Sequence, residues 1–120
     1  MQTLLFGNTW MNSRNEEDHW GFYLNGDLVH LSFSMLFDAD TFEYSYGNAD
    51  FSKDGFVKLL KEFCEKGASQ LHENGASVSL ARRGPDALTP VHIHVGTRSE
   101  GLITSIEKIP QSCLEILGCI

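Results

Sequence analysis

The most constraining stretch of the chain is Trp20-Gly-Phe-Tyr-Leu-Asn-Gly-Asp-Leu-Val-His-Leu-Ser-Phe-Ser-Met-Leu-Phe37, where apolar and polar residues alternate on both sides of Asn25-Gly26. Asn-Gly tolerates positive φ at both positions and is a strong local signal for a two-residue hairpin turn. With residues 25 and 26 as the loop, Leu24 lies opposite Asp27, Phe22 opposite Val29 and Trp20 opposite Leu31, so the apolar sets of both strands share one face. Farther along, Val29, Leu31, Phe33, Met35 and Phe37 keep to that face, while His30, Ser32 and Ser34 take the other. This period-two pattern predicts an antiparallel sheet with one wet side.

The flanking segments extend the sheet. Thr3 to Met11 reads as an opening strand and Asn12 to Asp18 as a polar loop. Asp38-Ala39-Asp40 makes a turn into a strand from Thr41 to Gly47, where Phe42, Tyr44 and Tyr46 alternate with polar residues. From Ser52 the period changes: Phe56, Leu59, Leu60, Phe63, Gly67 and Leu71 follow the spacing of one helical stripe. Ser52 caps this helix, Asp54 suits its positive end and Asn74-Gly75 supplies a left-handed stop, giving a helix over residues 53–74. The alternative ends it at Gly67, with a short turn over Ala68 to His72. Strands follow at Ala76–Arg82, Pro90–Gly96 and Leu102–Lys108, with a loop from Arg82 to Pro90, and Gln111–Ile120 reads as a short terminal helix. The expected fold is a single α+β domain over residues 1–120, a mostly antiparallel sheet of about six strands with the main helix on one face and a short C-terminal helix beside it.

Charge adds a second constraint. The net charge of −7 is uneven: residues 1–52 hold Glu16, Glu17, Asp18, Asp27, Asp38, Asp40, Glu43 and Asp50 against Arg14 alone, and the remainder balances eight acids with eight bases. Such a field attracts basic macromolecules and repels nucleic acid, and the dispersed bases offer no phosphate-binding stripe. The N-terminal stretch has no signal-peptide pattern and no later run is long and apolar enough to span a bilayer, so a cytoplasmic location without membrane contact is expected. Cys64, Cys113 and Cys119 form no Cys-x-x-Cys pair and read as packing residues.

Candidates for chemistry are few. In Val91-His-Ile-His-Val95, strand alternation puts His92 and His94 on one face, about 7 Å apart. The segment is similar to the opening of the histidine-triad nucleotide hydrolase signature, but the third alternate position is Gly96, so that family's nucleophile is missing. With Glu100 downstream it also resembles a cupin metal motif, whose glycine and glutamate spacings it does not keep. A metal site built from His92, His94, His30 and His19 would need all four on the same side of one sheet. Ser32 and Ser34 beside His30 lack a nucleophile elbow, and no phosphate-binding glycine loop precedes a helix.

The reading that follows is a binding protein with no cofactor: an inhibitor of the immunity-protein type, neutralising a basic toxin such as a nuclease domain, as monomer or dimer. Its expected contact residues are Glu16, Glu17, Asp18, Asp27, Asp38, Asp40 and Glu43, with Tyr23 and Tyr46 as anchors. The alternative is a small metal-dependent or acid–base enzyme using His92 and His94.

Overall fold

A computed structural model describes residues 2–38, 40–82 and 90–119. The first half is a meander, β1 (Thr3–Met11), β2 (Glu17–Asn25), β3 (Leu28–Asp38) and β4 (Glu43–Ser52), antiparallel in chain order. Helix α1 (Lys53–Lys66) follows, then a second meander of β5 (Ala68–Glu73), β6 (Ala76–Arg82), β7 (Val91–Gly96) and β8 (Gly101–Ile106), and the short helix α2 (Gln111–Ile116). The α+β class and the antiparallel sheets agree with the sequence reading. The count does not: eight strands in two sheets replace about six in one. The expected loop at Arg82–Pro90 falls, for residues 83–89, outside the described residues.

The register of the first hairpin and the length of the main helix also differ from expectation, and the shorter helix supplies the added strand β5. The first hairpin turns at Gly26-Asp27, so Asn25 faces Leu28, Leu24 faces Val29, Phe22 faces Leu31 and Trp20 faces Phe33. Gly26 has φ 63° at the first loop position, as a type II′ turn requires. This slip of two residues keeps every side chain on its expected face and sets each inward apolar residue of β2 against another in β3. Second, α1 stops at Gly67, which takes φ 77° and donates its N–H to the Phe63 carbonyl over 2.8 Å. Asn74 and Gly75, at φ 53° and 78°, instead form the turn between β5 and β6. The segment expected to finish a long helix is therefore a strand, with Leu71 opposite Val78.

Helix α1 sits where both meanders turn their apolar faces. Phe56, Leu59, Leu60 and Phe63 are all buried. The Phe56 ring lies 5.1 Å from that of Phe22 and 6.3 Å from that of Phe6. Toward the second sheet, Ser69 Oγ donates to the Leu59 carbonyl at 2.7 Å, and the Arg82 guanidinium lies 5.1 Å above the Phe63 ring. Val78, Leu80, Ile93 and Val95 bring the second sheet into the same core as Val29, Leu31 and Phe33. Cys64 lies off the buried stripe and is exposed, contrary to its reading as a packing residue, whereas Cys113 is buried.

Ser52 caps α1 as expected, accepting from the Gly55 N–H at 3.0 Å. The same residue is held by Glu73 of β5, whose carboxylate accepts the Ser52 N–H at 2.6 Å and its hydroxyl at 2.7 Å. Among the described residues no helix is long and apolar enough to cross a membrane.

Candidate interaction surface

In a four-stranded meander the first and third connections lie at the same end. Here that end outgrows the core. Met35 is the last inward residue of β3 packed on the apolar cluster, yet β3 continues to Asp38 and pairs with β4 through Leu36–Tyr44 and Asp38–Glu43. The register shifts between those pairs, so Phe37 is the extra residue of a β-bulge and leaves the face that alternation assigned it. It is 76 % exposed.

The turn that follows is built on Asp38, whose Oδ1 accepts the Asp40 N–H at 2.9 Å. The chain then passes through Phe42 at φ 59°, a left-handed conformation that costs a side chain with a Cβ about 1–2 kcal/mol. Phe42 is 60 % exposed. Its ring stacks under the Arg14 guanidinium, 4.1 Å away. From the β1–β2 loop, Arg14 also donates to Tyr44 Oη at 3.1 Å and pairs with Glu16 at 3.2 Å, while the Tyr44 hydroxyl donates to Glu16 at 2.6 Å. The hydrogen bond to Glu16, followed by partial desolvation, raises the Tyr44 pKa above its ordinary value, against the pull of Arg14.

Two further residues stiffen this end. Asn12 accepts the backbone N–H groups of Arg14 and Glu16 at 2.8 and 3.1 Å, folding the loop around its amide. Asp18 is only 3 % exposed and accepts from Asn12 Nδ2 at 2.8 Å and from the Leu36 N–H at 3.1 Å. It ties loop to strand beneath the surface.

The expected contact residues therefore separate. Glu16, Glu17, Asp38, Asp40 and Glu43 gather at this end with Arg14, and exposed Tyr46 stands on the adjoining outer face of β4, opposite Ser34. Asp18 is buried. Asp27 lies in the turn at the opposite end, and half-buried Tyr23 stands near it on the outer face, opposite His30. Phe37 and Phe42 are surface residues that sequence reasoning missed: alternation put Phe37 on the inward face, and Phe42 was placed inside a strand that begins only at Glu43.

The histidines do not converge. His19 faces Ser34 and His30 faces Tyr23, so the slipped register sets them four residues apart along the ladder instead of diagonally adjacent. His19 Nε2 shares a 3.1 Å hydrogen bond with Ser32, and His30 Nδ1 one of 2.8 Å with Asp50, so the serine and the acid serve different imidazoles. His92 and His94 lie on the outer face of the second sheet, opposite Ala81 and Ser79 of β6. The buried Nε2 of His92 has no hydrogen-bond partner among the described residues. No group of three or more His, Cys, Asp or Glu able to hold a metal occurs among the described residues.

Comparison with protein-family models, curated proteins and solved structures finds no match to this chain.

Proposed function

We propose that this protein is an inhibitor that docks the acidic, aromatic end of its first sheet onto a basic protein, a toxin of the nuclease type being the partner that best fits the charge. The observation that carries the reading is the overhang beyond the core: five carboxylates against one guanidinium, with two exposed phenylalanines among them. Carboxylates steer a basic partner into place, and rigid aromatic side chains provide the contact area of a binding hot spot. A nuclease must keep a positive cleft for phosphates, and an acidic projection competes for it. Backbone strain at Phe42 supports the same reading, since a left-handed aromatic held by its surroundings is a feature that concentrates at functional sites.

The test is association kinetics with basic proteins encoded beside the gene. Changing Glu17, Asp40 and Glu43 together to lysine lowers the on-rate about ten-fold or more at low salt and flattens its salt dependence. An unaltered on-rate and salt slope rules out electrostatic docking at this end. Loss of nuclease inhibition in step with the on-rate extends the result from binding to function.

A further inference from the structure

The last turn of the chain folds back onto α1. Gly118 takes φ 74° and donates its N–H to the Glu115 carbonyl at 3.1 Å, and Cys119 donates its own to Leu114 at 2.8 Å. These two bonds are the Schellman closure of α2, which brings the residue after the glycine beside the one five positions earlier. Cys119 and Leu114 accordingly line the same cavity of about 330 Å³. Its other wall is one face of α1: Lys61, Cys64 and Glu65. A thiol from α1 at mid-chain and one from beyond α2 thus open into one space, Cys64 exposed and Cys119 half-buried.

We propose that Cys64 and Cys119 form a thiol–disulfide exchange site that reacts with small disulfides of the glutathione class. The exposed Cys64 thiolate attacks one sulfur of the reagent, breaking its S–S bond and releasing one thiolate that takes up a proton. Cys119 then attacks the Cys64 sulfur of the mixed disulfide and expels the second glutathione. Two protein thiols are oxidised by two electrons, one reagent disulfide is reduced to two thiols, and α2 becomes tethered to α1. Lys61 is the cation facing this step. Burial raises the Cys119 pKa and Lys61 works against that rise. Cys113 is excluded as the resolving thiol: it is 1 % exposed and burial pushes its pKa up to about 12. The site is independent of the docking surface, and its outcome leaves the inhibitor reading untouched.

The experiment uses the intact, natively folded chain. It is incubated with oxidised glutathione, blocked with an alkylating reagent and mapped by mass spectrometry. Expected is a loss of two hydrogens in mass, a cross-linked peptide joining Cys64 to Cys119, an unreacted Cys113, and reversal by dithiothreitol. Cys119→Ser should stop at one glutathionyl group on Cys64, and Cys64→Ser should give no cross-link. A stable mixed disulfide on Cys64 with Cys119 still alkylatable overturns the proposal. So does a bridge involving Cys113, or no reaction of the native protein where the denatured chain reacts.

Discussion

The two sheets share a connectivity and differ in reach. Each is a four-stranded antiparallel meander followed by a helix, and each contributes strand residues to one apolar core. The first, however, has strands of 9 to 11 residues and the second strands of 6 or 7. Strands of the second length suffice to cover α1. The extra residues of the first carry its ladder past the core, where a bulge and a strained turn can present aromatic side chains to solvent without cost to the packing below. Length beyond what the core uses is thus the feature that distinguishes a docking element from a supporting one.

The largest effects are expected in the core that the two sheets share. Phe22→Ala should cost about 3–5 kcal/mol and Ile93→Ala about 2–5 kcal/mol, one in each sheet and each followed by denaturant unfolding. Tryptophan fluorescence reports the first sheet, which holds both Trp10 and Trp20, while amide exchange in β6 and β7 reports the second. Coincident transitions are expected. Separate ones would mean that the halves stand alone and that the overhang is no specialisation of a joint structure. A smaller effect sharpens the point: Asp18→Ala leaves the Leu36 N–H without its acceptor and should cost about 1–3 kcal/mol. Exchange should then accelerate at residues 36–38 and 40–43 while β6 and β7 stay protected. Phe42→Gly relieves the left-handed strain but removes the ring, so stability should change by less than about 1 kcal/mol while affinity for the basic partner falls. Equal binding by this variant would remove Phe42 from the contact. The least effect is expected in the second half, where changing Glu100 and Glu107 to lysine should leave the on-rate within about two-fold.

Much of this molecule was legible in the alternation of its residues. Residues 20, 22, 29, 31 and 33 occupy the face their period assigned, and Ser52 caps the helix where the period changes. Where the reading failed, one local signal admitted two structures. Asn74-Gly75 can stop a helix or turn a hairpin, since both demand positive φ, and only the partner strand β6 decides between them. The helical stripe likewise continued through Gly67 to Leu71, although two matching positions in a short segment fit a strand as well. At the surface the limits were different. Composition located the acids in the first half, but it could not tell that Asp18 would be buried to brace a loop or that a bulge would turn Phe37 outward, because both depend on how β3 outruns its neighbours.

The grip of Glu73 on Ser52 carries one last consequence. The carboxylate that steadies the start of α1 comes from the far meander, so the first half does not contain everything its own ending needs. A fragment stopping at residue 52 would lose this clamp together with the helix that seals its inner face, and the acidic end could not be transplanted as a free-standing module. Any attempt to graft it onto another scaffold has to supply a replacement for the whole of the opposite half.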